Sequence, residues 1–129
     1  MRNVLIIDDD LELLRQMAAA FASAGYRVLV APDGQAGLAR FLDTPTDLVI
    51  TDIVMPNREG IETIVALKNA SRSVKVIAVS GGYRVGPADF LSLARHVGAD
   101  ASLAKPFRLS KLVDLAAQVL KSSTQEVAA

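Results

Sequence analysis

Apolar residues come in short unbroken runs along this chain: VLII (4–7), RVLVA (27–31), LVIT (48–51), VIAVS (76–80) and a weaker ASLA (101–104). A strand with one wet face alternates apolar and polar positions, so runs without alternation suit strands covered on both faces. Between the runs the period changes to that of a helix. Leu14, Met17, Ala18 and Phe21 fall at i, i+3, i+4 and i+7, with Gly25 where a C-cap belongs. Leu112, Val113, Ala116, Val119 and Leu120 repeat the pattern near the end, and weaker helical patterns read at about 35–42, 59–70 and 88–97. Strand alternating with helix in this way predicts an α/β fold: an open, doubly wound parallel sheet whose right-handed crossovers place helices on both faces.

Composition changes this picture little. A chain of 129 residues suits one domain, expected over 1–121, with the tail SSTQEVAA (122–129) frayed or the stub of a longer chain. No repeat or linker interrupts it. Acidic and basic residues cancel at 14 each, which argues against a dedicated nucleic-acid domain. The absence of cysteine excludes disulfides, thiolate metal sites and a cysteine nucleophile. The first apolar run is too short for a signal peptide, and no run approaches a membrane span, so the cytoplasm is the expected compartment.

In such sheets ligands bind outside the carboxyl ends of the strands. Asp8, Asp9 and Asp10 follow the first strand, and Asp52 follows the third. Ser80 ends the fourth, before Gly81 and Gly82, and Lys105-Pro106 follows the fifth. Three carboxylates, a hydroxyl and an ammonium thus reach one edge from four separate segments. Each has a blander reading. Asp10, and less readily Asp9, suits a helix N-cap. Ser80 suits a small strand-end residue, and Lys105 an ordinary surface lysine. Asp52 resists such a reading, because it stands between LVIT and IVMP with no helix starting directly after it. Electrostatics favours a joint site. Asp8, Asp9 and Asp52 carry three negative charges, which a dication plus the Lys105 ammonium brings to zero. Hard oxygen donors select Mg²⁺ or Mn²⁺. Pro56 stiffens the loop after Asp52, and Gly60 is read as permitting a turn before the third helix. Lys105-Pro106 is a candidate cis bond. Asp33 and Asp47 read as turn residues, and the single histidine, His96, reads as part of the fourth predicted helix.

The motifs IIDDD, DLVITDIVMPNREG, VIAVSGG and GADASLAKPF, in this order and spacing, resemble the receiver domain of two-component response regulators, of the stand-alone chemotaxis-regulator type. The resemblance covers about residues 3–121. It implies a flavodoxin-like, five-stranded parallel sheet in the order 2-1-3-4-5. It also implies that Asp52 is the phospho-acceptor, a carboxylate nucleophile toward the phosphohistidine of a sensor histidine kinase or histidine phosphotransfer protein. Asp8, Asp9, Asp52 and the backbone carbonyl of Val54 would then hold Mg²⁺. Lys105 would pair with one phosphoryl oxygen. Ser80 would donate its hydroxyl to another, drawing in the segment between the fourth strand and the fourth helix. Lys105-Pro106 would be cis. The chain would catalyse only its own phosphorylation and dephosphorylation. Its output would pass to a downstream protein target, or onward to a histidine phosphotransfer protein, with no direct contact to nucleic acid or membrane.

Three departures from the family pattern stand out. Ser102 occupies the position, three before the lysine, where the family commonly carries Tyr or Phe, so the aromatic half of the usual switch is missing. The segment from Ser80 to Gly98 is a few residues longer and glycine-rich at its start, with Tyr83 as a substitute aromatic or a plain packing residue. Val54 and Gly82 stand where the family tunes dephosphorylation, and neither side chain orients a water, so a long-lived phosphoryl group is expected. Two other classes remain. One is a non-phosphorylated receiver-like adaptor, which the missing aromatic keeps open. The other is an aspartate-nucleophile phosphatase of the haloacid-dehalogenase type. That class places a second aspartate two residues after the first, where this chain has Val54. Nucleotide binding is disfavoured, since no glycine-rich phosphate loop follows the first strand.

Overall fold

A computed structural model of the chain describes residues 1–53, 59–80 and 94–128, with the backbone alone at 59 and 122–128. Five strands, β1 (Asn3–Ile7), β2 (Arg27–Ala31), β3 (Leu48–Asp52), β4 (Lys75–Ser80) and β5 (Ala101–Ala104), form one sheet. All pairs are parallel and the order is β2-β1-β3-β4-β5, the flavodoxin-like arrangement expected. Among the described residues the longer helices are α1 (Leu11–Ser23), α2 (Gly34–Asp43), α3 (Glu59–Ala70) and α4 (Leu109–Ala128). Of the helix expected over 88–97, residues 94–96 are helical and the rest fall outside the described residues. The last helix, α4, continues through the backbone of 122–128, the segment expected to fray; SSTQEVA holds no glycine or proline to stop it.

Both faces of the sheet are dry, which explains the unbroken apolar runs. Val4, Ile6, Ile50, Ile77 and Val79 face α1 and α4, meeting Phe21 and Leu112 among others. Leu5, Ile7, Val49, Val76 and Ala78 face the opposite way, against Phe41 of α2 and Ile64 and Leu67 of α3. Each valine, leucine, isoleucine or phenylalanine among them contributes about 1.5–3 kcal/mol of burial. Glycine allows α2 to come close: a methyl group on Gly37 would stand 2.3 Å from Ile7 Cδ1.

Aspartates do much of the local shaping. Asp10 caps α1, its carboxylate accepting from the Leu13 N–H at 3.2 Å, and Asp33 caps α2, accepting from Ala36 N–H at 2.8 Å. Asp47 accepts from the Asn3 N–H at 2.9 Å and so ties the start of β1 to the approach of β3. Gly25 ends α1 in the left-handed region, φ +96°, and the Tyr26 N–H returns to the Phe21 carbonyl at 3.0 Å. At the amino-terminal edge of the sheet the Lys68 ammonium donates to the Val74 carbonyl at 2.6 Å and to Asp100 at 2.8 Å. The same Asp100 oxygen accepts from the Val76 N–H at 2.8 Å. One ion pair thus fixes the end of α3, the start of β4 and the entry to β5, leaving the other edge of the sheet for chemistry.

Candidate functional site

Strand register assembles the site. Ile7 is opposite Thr51, so the next residue on each strand is an aspartate, Asp8 and Asp52. Asp52 is opposite Val79, which places Ser80 one step beyond it, and Ser80 is opposite Ala104, one step before Lys105. Parallel pairing therefore brings the four segments to one edge, as the positions at the strand ends require. Asp8 and Ser80 are fully buried, Asp52 is 4% exposed, and Asp9 stands at the surface.

One carboxylate oxygen from each of Asp8, Asp9 and Asp52 lies within 4.8 Å of the others. The Lys105 ammonium reaches across them, 3.1 Å from Asp8 Oδ2 and 3.4 Å from Asp52 Oδ2. The other Asp8 oxygen accepts from the Asp10 N–H at 2.8 Å, which fixes its rotamer. Asp10 itself is engaged as the α1 cap, so it takes the blander of its two readings. Lys105 is held from its backbone as well: its N–H donates to the Ser80 carbonyl at 2.7 Å, and the Lys105-Pro106 bond is cis.

Three carboxylates outnumber the one ammonium that spans Asp8 and Asp52, and gathering like charges at a largely buried edge is costly unless a cation joins them. The donor set is hard oxygen throughout, the chemistry Mg²⁺ or Mn²⁺ selects. Three carboxylate oxygens gathered within 4.8 Å form a group compact enough to close on one small ion. The residues present therefore fit a divalent cation in charge and in donor chemistry.

Burial pushes the Lys105 ammonium toward a lower pKa, but the charges of Asp52 and Asp8, with their hydrogen bonds, outweigh it and hold it above the ordinary lysine value. A raised folded pKa contributes stability that is complete below the unfolded value, about 10.4, and is lost as pH rises through the folded one. Thermal melts from neutral to alkaline pH should therefore lose stability above about pH 10.4. That alkaline loss should be smaller in Lys105→Gln than in the wild type. Equal alkaline limbs for the two proteins would contradict the assignment.

Other residues singled out from the sequence lie elsewhere. His96 is exposed on the helical turn 94–96, before β5 begins, and so belongs to the opposite edge of the sheet from Lys105. Ser102 is half-buried and pairs with Ala78; its neighbours Ala101 and Leu103 turn toward the α1–α4 side, so Ser102 faces the other. Val54, Pro56, Gly82 and Tyr83 lie outside the described residues. Gly60 corrects an expectation. It sits inside α3 without a positive φ, so it makes no turn; its missing side chain serves a close approach to the Asp52–Ile53 backbone. The Lys68–Asp100 tie was not read from the sequence at all, because its two partners are distant along the chain.

No helix among the described residues is long and apolar enough to cross a membrane. The family model described as response regulator receiver domain matches residues 4–117. The transcriptional regulatory protein CpxR of Klebsiella pneumoniae is 32% identical over 123 residues, covering 95% of this chain and 51% of that protein. The response regulator receiver protein CpdR of Brucella abortus is 30% identical over 119 residues, covering 88% of this chain and 92% of that protein. The chain spans about half the length of most such curated relatives. Among solved structures, a CheY-like receiver domain protein from Methanospirillum hungatei superimposes with a TM-score of 0.89 at 26% identity, covering 98% of both chains. The chemotaxis protein CheY4 of Vibrio cholerae does so with a TM-score of 0.82 at 27% identity, covering 92% of this chain and 98% of that one. Sheet order, acidic cluster and sequence match agree, and the chain belongs to the response regulator receiver domains of two-component systems.

Proposed function

We propose that this receiver domain is a Mg²⁺-dependent phospho-acceptor whose nucleophile is Asp52, supplied by a sensor histidine kinase or a histidine phosphotransfer protein. The observation that carries the reading is the Lys105 ammonium lying across Asp8 and Asp52, within a cluster of three carboxylates. A carboxylate oxygen of Asp52 attacks phosphorus, the P–N bond to the donor imidazole breaks, and its electron pair leaves with the ring nitrogen. The product is an acyl phosphate on Asp52. Asp8, Asp9 and Asp52, with the Val54 carbonyl, would hold the cation, which neutralises charge on the phosphoryl oxygens when bound.

Lys105 then moves its attention from two carboxylates to a phosphoryl oxygen, a fixed positive charge where negative charge develops. Ser80, at the end of β4, supplies a hydroxyl to another oxygen, and the segment after it follows. A local change of charge is thereby converted into a change of surface. The chain acts on no separate substrate; it catalyses its own phosphorylation and dephosphorylation and signals in the cytoplasm by contact with a downstream protein. Ser102 in place of an aromatic means that this signal leaves without a ring turning inward beneath β5.

The test is incubation with a small-molecule phosphodonor, with and without Mg²⁺, followed by intact mass. Wild-type protein should gain one phosphoryl group only when the cation is present. No gain in folded protein with saturating Mg²⁺ and donor would favour the adaptor reading. Continuous release of inorganic phosphate from many donors per chain, with no acyl phosphate accumulating, would favour the phosphatase.

A further inference from the structure

The first turn of α3 lies on the backbone of the strand that carries Asp52. A methyl group on Gly60 would stand 2.3 Å from Ile53 Cα, 2.5 Å from the Asp52 carbonyl oxygen and 3.0 Å from the Ile53 carbonyl carbon. All three are backbone atoms, so no side-chain rotation relieves the overlap. Backbone freedom does not explain the glycine, since Gly60 is helical and its φ is not positive. Glycine inside a helix costs stability relative to alanine. What the missing side chain provides here is contact between helix and strand end.

That strand end is held from its other side as well. Asp52 pairs with Val79, and the Ile53 N–H donates to the Val79 carbonyl at 3.0 Å. The peptide carrying the Asp52 carboxylate is therefore clamped between β4 and α3. A side chain at position 60 has two ways out: lifting α3 or twisting that peptide. Twisting it moves the carboxylate relative to Asp8 and Lys105.

We propose that Gly60 is a positioning residue for the acceptor, setting where the Asp52 carboxylate stands by letting α3 lie directly on its backbone. The proposal rests on the reading of Asp52 as the acceptor. Gly37 supplies a control. It too is a buried helical glycine whose added methyl would come as close to a neighbour, but the atoms it would meet, Ile7 Cδ1 at 2.3 Å and Cγ1 at 2.7 Å, belong to a side chain and not to the backbone of a strand end.

Gly60→Ala and Gly37→Ala are compared with the wild type by three measurements: thermal melting, the Mn²⁺ dissociation constant from electron paramagnetic resonance, and the rate of phosphoryl uptake from a small phosphodonor. Gly60→Ala should take up the group roughly tenfold to a hundredfold more slowly, as expected for a reacting group displaced by about an ångström. It should bind Mn²⁺ about tenfold more weakly, the effect of disturbing what orients a ligand. Gly37→Ala should keep both values within about twofold even where its melting temperature falls as far. Wild-type uptake and affinity in Gly60→Ala would overturn the proposal. So would losses that track melting temperature equally in both variants, and so would a Gly60→Ala chain that is unfolded even in the cold, which would make Gly60 a requirement of the fold alone. If the wild type takes up no phosphoryl group while Mn²⁺ affinity still separates the two variants, the acceptor reading falls and the positioning of the acidic cluster stands.

Discussion

Asp52→Asn should take up no phosphoryl group under conditions that convert the wild type, a loss on the order of a thousandfold or more. The substitution keeps shape and volume and replaces a nucleophilic carboxylate oxygen with an amide. It also relieves the site. Two buried carboxylates, Asp8 and Asp52, share one ammonium at 3.1 and 3.4 Å, with Asp9 adding a third negative charge nearby. Neutralising Asp52 leaves Lys105 its shorter partner, Asp8, and removes carboxylate repulsion, so the variant should melt no lower than the wild type in cation-free buffer. Intact mass and melting temperature measured together make the result decisive: uptake lost in a stable protein identifies the acceptor. Uptake at the wild-type rate would place the acceptor on another side chain, and Asp8 and Asp9 would be the next to replace. A variant that loses uptake only because it unfolds would contradict the electrostatic account of the cluster.

Why the site was legible and other features were not follows from how each is built. A parallel sheet converts sequence into space by a fixed rule. Residues just after strands meet at one edge, so Asp8, Asp52, Ser80 and Lys105 were found as strand-end residues before any distance was known. The unbroken runs VLII and LVIT declared that both faces are covered, and the two apolar layers bear this out. A glycine near a helix start, such as Gly60, has two explanations, conformational freedom and close approach, and the sequence alone does not distinguish them. Lys68 and Asp100 were invisible for another reason. An ion pair 32 residues apart leaves no local spacing signal, although its role in tying α3 to β4 and β5 is evident once the fold is known. Asp9 and Asp10 show the limit in miniature. They are adjacent and chemically identical, yet one joins the acidic cluster and the other caps α1, a division set by the turn and not by composition.

Lys105→Gln should move two measurements in opposite directions. Glutamine is one bond shorter, keeps a hydrogen-bond donor and carries no charge. Without the ammonium, Asp8 and Asp52 lose the positive charge they share, so a divalent cation gains more from entering. Mn²⁺ affinity should rise by roughly tenfold, the scale of one charge interaction tempered by partial exposure, since the lysine side chain is 21% exposed. Phosphoryl uptake should fall by roughly a hundredfold even at saturating cation, because no fixed positive charge meets the phosphoryl oxygens as charge shifts during transfer. Stability should follow the first effect. In cation-free buffer the variant should melt below the wild type, and a fixed excess of Mg²⁺ should recover more of its melting temperature than it adds to the wild type, since a ligand bound only by the folded state stabilises by an amount that grows with the logarithm of its affinity. The two signs separate the two roles of this residue. Unchanged or weaker cation binding would mean that the ammonium and the cation do not share the carboxylates. Wild-type uptake would mean that Lys105 serves only to hold Asp8 and Asp52 together in the resting protein, and the positive charge for the transferring group would have to come from another side chain. Weaker uptake with tighter binding is the one combination in which Lys105 neutralises the resting site and then serves the phosphoryl group.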